Sequence, residues 1–228
     1  MSKHTIQEVA SRIDHAVLKP ELTEQEVREH AAMCIERGVG SMCVRPCDVK
    51  LVAGLLAGTP VMPSCVLSFP HGADTTATKA FQARQAVEDG AKEIDMVINI
   101  GQFLSGNHDA VREDIKAVVD VAHAAGVKVK VIQESGLLTL EQVARACELS
   151  EEAGADFVKT STGFNAGPAT PEIIDVMIKT VGGRMGVKPS GGIRDWPTAV
   201  GYLDQGVDRL GVGSTEAVLD GGQTDDDS

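Results

Sequence analysis

"ADFVKTSTGFN", residues 155–165, begins as a buried strand and ends as a turn. Asp156, Phe157 and Val158 start an apolar segment that runs into Lys159 before the small polar run Thr160, Ser161, Thr162, Gly163. "MGVKPSGG" (185–192) repeats the arrangement, with Lys188 followed closely by two glycines. Six further strand candidates surround these two: "IDHAVL" (13–18), "SMCVRP" (41–46), "VMPSCVLSF" (61–69), "EIDMVIN" (93–99), "KVKVIQES" (128–135) and "RLGVGS" (209–214). Helical stretches lie between them. Thr23 with Glu26 and Thr139 with Gln142 fit the capping box, and Thr170–Pro171 puts proline at the first helical position. Gly38, Gly90, Gly126 and Gly154 supply helix stops. Strict alternation of strand and helix implies a parallel sheet, and eight units in roughly 200 residues point to a closed (β/α)8 TIM barrel. A doubly wound open sheet is the runner-up. Thr5 to Glu8 forms another capping box, which predicts a short helix before strand 1 covering the N-terminal end of the barrel. The barrel is expected over residues 1–220, with residues 221–228 as an acidic, flexible, solvated tail.

A chain of 228 residues is a usual size for one such barrel. No apolar run reaches the length of a membrane span, and "MSKHTIQEVASRIDH" has no apolar core of the signal-peptide kind. The reading is a soluble cytoplasmic protein. Its five cysteines are an odd number, which favours reduced thiols over a disulfide framework. Cys43 and Cys47 are the only close pair and have no second pair or nearby histidine, so they make a poor zinc site. A net charge of −12 argues against nucleic acid or an anionic membrane as partner, since either needs basic patches. Composition leaves a homo-oligomer open.

A barrel places its chemistry at the C-terminal ends of its strands. Lys159 and Lys188 fall near those ends on strands 6 and 7, and Asp95 interrupts the apolar "IDMVI" of strand 4. Side chains alternate along a strand, so Lys159 shares a face with Phe157 while Val158 and Thr160 point the other way. With the lysine face assigned to the lumen, an acid and two bases converge, and Asp14 on strand 1 is a candidate fourth member. Taken singly, a strand-end lysine is more often exposed or half of a structural ion pair. Three such residues near one rim are harder to explain that way. Lys130 and Glu134 share a face of strand 5, are expected to pair with each other, and stay outside the catalytic set. Cys43 is expected either on the lumen face or as an inert core residue.

Two adjacent lysines suit imine formation. A lysine of pKa about 10.4 is almost wholly protonated at pH 7, whereas one brought down to about 7.4 is roughly one-quarter neutral and nucleophilic. Burial and a neighbouring cation both act in that direction, and here each lysine can supply the cation for the other. The glycine-rich loops "STGF" (161–164), "PSGG" (189–192) and "GVGST" (211–215) follow strands 6, 7 and 8, where barrels commonly bind phosphate through backbone N–H groups. Tight strand-to-helix turns explain any one of these loops equally well, so it is their grouping that points to a phosphorylated substrate. No Walker A sequence is present, and "GVGSTE" lacks the third small residue of a dinucleotide fingerprint. The histidines, including His15 and His71, form no clear set of three metal ligands, and neither metal nor cofactor is expected.

"IDHAVLKP", "CVRPCDV", "SFPHGADTTATKAFQA", "DGAKEIDMVINIG", "VKVIQESGLLT", "ADFVKTSTGF" and "GVKPSGGIR" resemble the deoxyribose-phosphate aldolase family in order and spacing, from about residue 12 to 217. The resemblance implies a metal-free class I aldolase that reversibly cleaves 2-deoxy-D-ribose 5-phosphate to acetaldehyde and D-glyceraldehyde 3-phosphate. It implies Lys159 as the Schiff-base lysine, with Lys188 lowering its pKa and joining Asp95 in moving protons through water. Asp14, Thr162, Gly163, Gly191, Gly192, Gly213 and Ser214 are the expected substrate-binding positions. This chain departs from the family pattern at Ala16, where threonine is usual, at Arg45, where asparagine is usual, and at Gly213, where serine is frequent. Some members end in a tyrosine that reaches the site, whereas the one tyrosine here is Tyr202. Arg45 is an expected extra cation for phosphate. The alternatives are a Schiff-base aldolase for another phosphosugar and a non-catalytic phosphosugar-binding barrel.

The 33 acidic and 21 basic side chains leave a strongly anionic surface that repels itself and an incoming phosphosugar. Raising ionic strength from about 0.15 to about 1 M shortens the Debye length from about 8 to about 3 Å and screens both effects. The melting temperature is therefore expected to rise between about 0.1 and about 2 M KCl, with choline chloride as the control for specific potassium effects. A flat or falling melting temperature would remove the salt adaptation.

Overall fold

The computed structural model describes residues 4–165 and 167–226. Its eight strands are β1 (Ile13–Val17), β2 (Ser41–Val44), β3 (Met62–Leu67), β4 (Glu93–Val97), β5 (Lys128–Ile132), β6 (Phe157–Lys159), β7 (Gly186–Lys188) and β8 (Leu210–Val212). Each lies inside a predicted segment. All neighbours pair in parallel, in the order β7-β6-β5-β4-β3-β2-β1-β8. A bridge between Ser190 and Gly211, with Asp208 N donating to Val187 O (3.1 Å) and Gly211 N to Pro189 O (2.9 Å), brings β7 against β8. The result is a (β/α)8 barrel, not an open sheet.

The helices are α1 (Ile6–Arg12), α2 (Glu24–Arg37), α3 (Val49–Leu55), α4 (Thr76–Glu88), α5 (Ile100–Leu104), α6 (His108–His123), α7 (Leu140–Glu152), α8 (Pro171–Val181), α9 (Trp196–Gln205) and α10 (Thr215–Asp226). The capping boxes at Thr5, Thr23 and Thr139 all form, and Thr170 caps α8 with Pro171 in its first turn. α1 runs directly into β1 and packs at the strand starts, where Ala10 O accepts from Gly40 N (3.1 Å). The division expected at residue 221 falls inside α10, which continues to Asp226 and brings Gly221 and Gly222 against Trp196.

Strand alternation separates two interiors. Val129, Val131, Ile94, Met96, Val158 and Val187 point outward and are buried under the helices, in the main apolar core. Lys130, Asp95 and Lys159 point inward with the period of two expected of strands. The lumen therefore carries charge where such barrels usually pack branched apolar side chains.

A second buried ion pair ties the helical layer to the sheet. Lys79 on α4 donates to Asp114 on α6 (2.5 Å) and to Val97 O at the end of β4 (2.9 Å), while Thr76 Oγ1 donates to the other carboxylate oxygen of Asp114 (2.9 Å). Removing one partner of a fully buried pair strands a charge, at a cost of about 3–5 kcal/mol. Lys79→Met is expected to lose stability on that scale in urea denaturation, and Lys79→Met/Asp114→Leu to recover most of it.

Candidate active site

The site is built from one residue per strand around the lumen. Asp14 comes from β1, Asp95 from β4, Lys130 from β5, Lys159 from β6 and Lys188 from β7. The register sets Asp95 beside Lys130 and Lys159 beside Lys188. β8 contributes Gly211 at the level of Asp14, and a Cβ there would overlap the Ser190 side chain and crowd Lys188, so the missing side chain makes room for the lysine. Lower down, Gly186 leaves space for the Phe157 ring, which lies beneath Lys130, 5.9 Å from its ammonium to the ring centre.

One carboxylate gathers three ammonium groups. Asp95 Oδ1 accepts from Lys130 (2.9 Å), and Asp95 Oδ2 accepts from both Lys159 (2.7 Å) and Lys188 (2.8 Å). Asp14 Oδ2 accepts from Lys188 at 2.5 Å and lies 3.4 Å from Lys130. Below them Glu93 pairs with Lys130 (2.5 Å), and Arg209 bridges Glu93 (2.9 Å) to Asp14. All of these side chains are buried or nearly so.

This network distinguishes the two rim lysines. Burial, the largest influence on each, disfavours the charged form. Around Lys188 the carboxylates of Asp14 and Asp95 overcome it and hold the pKa above the ordinary lysine value. Lys159 has Asp95 alone, and burial assisted by the Lys188 charge leaves its pKa lowered. Charge balance leads to the same result. Three carboxylates (Asp14, Glu93, Asp95) face four cations (Lys130, Lys159, Lys188, Arg209), so the cluster is neutral when one cation gives up its proton. Lys159, with the fewest carboxylate partners and the lowered pKa, is that cation. Asp14 and Asp95 resist burial and stay far below the carboxylate range, held there by the surrounding cations.

Above the lysines opens a cleft of about 360 Å³. Asp14, Thr162, Gly163, Gly191, Gly192, Gly213 and Ser214, the positions expected to bind substrate, line it together with Lys159 and Lys188, while Asp95 lies just beneath, wholly buried. Ser214 O accepts from Val218 N (3.1 Å), so the N-terminus of α10 opens at the cleft wall, an arrangement that favours an anion. Ala16 and Gly213, two of the departures from the family pattern, are also on the wall. Cys43 is there as well, buried, with its thiol pKa raised by burial. All five cysteines are free thiols.

Two expectations, for Lys130 and for Arg45, are corrected. Lys130 does not pair with Glu134, because β5 ends at Ile132 and Glu134 takes a left-handed backbone (φ 52°) that breaks the alternation. Arg45 is not among the residues lining the lysine cleft; it pairs with Asp48 (2.6 Å) and donates to the carbonyls of Lys19, Pro20 and Leu22 (3.0 Å each). Tyr202 is a structural residue whose hydroxyl donates to Ala169 O (2.8 Å). His15 lies outside the lumen between Thr215 (2.8 Å) and His30 (2.9 Å), with its pKa pushed down to about 3 by burial and then by His30. Glu93, Arg209 and Arg194, the last on the cleft wall, were not anticipated. Stepping back by two from Asp95 and Gly211 would have placed Glu93 and Arg209 on the lumen face.

The DeoC/LacD family aldolase profile matches residues 8–202. The chain belongs to the DeoC/LacD aldolase family. It is 47% identical to deoxyribose-phosphate aldolase from Geobacillus sp. (strain WCH70) over 93% of this chain and 95% of that one. It is 49% identical to the enzyme of that name from Streptococcus suis (strain 98HAH33), over 94% and 97%. Among solved structures, the tetrameric deoxyribose phosphate aldolase from Aeropyrum pernix superposes with a TM-score of 0.89 at 31% identity, covering 96% of this chain and 93% of that one.

In this DeoC/LacD aldolase the contrast between the lysines gives a pH prediction. A nucleophilic lysine works as the free amine, so its rate falls as pH drops through its pKa. Lys188→Leu removes a cation that lowers the Lys159 pKa, leaving Asp95 to raise it. The acid limb of the pH–rate profile is expected to move to higher pH. An unchanged limb would mean that the two lysines are not coupled.

Proposed function

We propose that the protein is a deoxyribose-phosphate aldolase that reversibly cleaves 2-deoxy-D-ribose 5-phosphate to D-glyceraldehyde 3-phosphate and acetaldehyde. The observation that carries this reading is the buried pair Lys159 and Lys188 on one Asp95 oxygen, with a second carboxylate on Lys188 only. The names of the relatives point to the same substrate.

In the proposed reaction the free amine of Lys159 attacks the C1 aldehyde of the open-chain sugar, and loss of water gives an iminium ion. A proton leaves the C3 hydroxyl as the C2–C3 bond breaks, and the bonding electrons move into the iminium to form an enamine. The C3 fragment departs as glyceraldehyde 3-phosphate. Protonation of the enamine at C2 and hydrolysis release acetaldehyde and the free lysine. We assign these protons to Asp95 and Lys188 acting through water; their contact with each other and the Asp14 carboxylate on Lys188 support that reading. The backbone amides around Gly163, Gly191, Gly192 and Gly213, with Ser214, are assigned to the phosphate. Nothing in this sequence of steps calls for a metal or cofactor.

No helix among the described residues is long and apolar enough to cross a membrane. We take the enzyme to act in the cytoplasm, in keeping with its charge and free thiols, and to self-associate, as the tetrameric relative does.

Borohydride reduction in the presence of acetaldehyde tests the assignment. It is expected to add an ethyl group at Lys159, located by peptide mapping, and Lys159→Ala is expected to lose both trapping and turnover. A label on Lys188 would reverse the roles of the lysines. Wild-type turnover of another phosphosugar without turnover of deoxyribose phosphate would reassign the substrate.

A further inference from the structure

The least ordinary backbone near the site belongs to a residue outside the reaction as proposed. Glu134 is one of two non-glycine residues with positive φ among the described residues, and it is completely buried. A left-handed backbone costs a side-chain-bearing residue free energy and persists only where the surroundings fix it. Here the surroundings are visible. On either side, Gln133 N donates to Lys159 O (3.0 Å) and Ser135 N to Thr160 O (2.9 Å), so the end of β5 is fastened to the end of β6.

The turn aims the Glu134 carboxylate into the loop that follows Lys159. Glu134 Oε1 accepts from Thr162 N (3.2 Å), and Oε2 accepts from Thr162 Oγ1 (2.6 Å) and Asn165 Nδ2 (3.1 Å). Thr162 Oγ1 accepts in turn from Phe164 N (3.1 Å), and Asn165 also donates to Pro70 O (3.0 Å). One carboxylate thus fixes residues 162–165 from beneath. Thr162, Gly163 and Phe164 line the cleft, whereas Glu134 does not. The same loop packs on the neighbouring glycine turn, with the Cα of Gly163 and of Pro168 beside Gly191.

We infer that Glu134 is a positioning residue for phosphate recognition: by taking up the Thr162 amide and hydroxyl it holds the loop that carries the Gly163 amide against the Gly191–Gly192 turn, so that loop and turn both present N–H groups to the phosphate of the substrate. This rests on the aldolase reading for the identity of the phosphate ester, but not on turnover. Hydrogen bonds to a buried charge are strong, and replacing the carboxylate by an amide puts an N–H donor against donors. The consequence belongs to the phosphate end of the cleft, because Lys159 takes its charge partners from Asp95 and Lys188.

The test is a calorimetric titration of wild type, Glu134→Gln and Thr162→Val with D-glyceraldehyde 3-phosphate, alongside borohydride trapping of acetaldehyde, which has no phosphate. Both variants are expected to bind the phosphate ester about tenfold more weakly or worse. Each is expected to remain trappable at Lys159, with melting curves still cooperative. In turnover the loss should appear in KM for deoxyribose phosphate more than in kcat, and Glu134→Asp should restore part of it. The double variant should lose little more than either single one, since both break the same hydrogen bonds. Equal affinities for wild type and Glu134→Gln, or equal losses in phosphate binding and acetaldehyde trapping, would overturn the inference. Should Glu134→Gln fail to fold, Asn165→Leu, which removes a donor to the same carboxylate from a residue off the cleft wall, decides it by the same two measurements. Absent turnover of deoxyribose phosphate with an intact difference in phosphate-ester binding would sink the substrate assignment and leave the role of Glu134 standing.

Discussion

The constraint on which the rest of the structure depends is electroneutrality inside a closed sheet. Ionised groups removed from water are costly unless each finds an opposite charge and filled hydrogen bonds. The lumen meets that condition with Asp95 shared by Lys130, Lys159 and Lys188, Asp14 on Lys188, and Glu93 and Arg209 completing the floor. The balance leaves one proton too many, and the geometry makes Lys159 the group that can release it. In the proposed reaction that makes it the nucleophile, chosen by its number of carboxylate neighbours. Stability comes mainly from elsewhere, from the apolar layer between sheet and helices, which leaves the lumen to be arranged for charge.

Most of this architecture was legible in the residues. A period of two in "EIDMV" and "DFVK" set Asp95 and Lys159 against apolar neighbours of opposite face, and capping boxes at Thr5, Thr23 and Thr139 marked helix starts that the structure contains. Failures occurred where a local rule was carried past its element. Strand alternation carried two residues beyond the end of β5 misplaces Glu134, whose own backbone is left-handed. The acidic run near the C-terminus reads from composition as a solvated tail; α10 extends to Asp226, and residues 227–228 lie outside the described residues. Arg209 stands first in the segment "RLGVGS", where an arginine looks like surface, although the fold turns it onto Asp14 and Glu93.

Arg45 shows a different limit. Its charge suggested phosphate, and nothing in the local sequence gives the direction of so long a side chain. In the fold it satisfies the carbonyls of Lys19, Pro20 and Leu22 and pairs with Asp48, which makes it a brace for the loop between β1 and α2. That loop carries Leu18 and Lys19 on the wall of the cleft. A departure from the family pattern thus bears on the shape of the entrance and not on its charge.

The Phe157 ring, seated in the gap left by Gly186, lies beneath Lys130, which pairs with Glu93 and through it with Arg209, and α1 packs at the strand starts. Lys159 and Lys188 face the cleft above them. In the proposed reaction the water lost on forming the imine and the water needed to hydrolyse it pass through the opening that also admits the sugar and releases both aldehydes. Traffic at that opening is sequential. In the proposed reaction a triose phosphate held at the glycine loops covers the enamine beneath it until that product leaves.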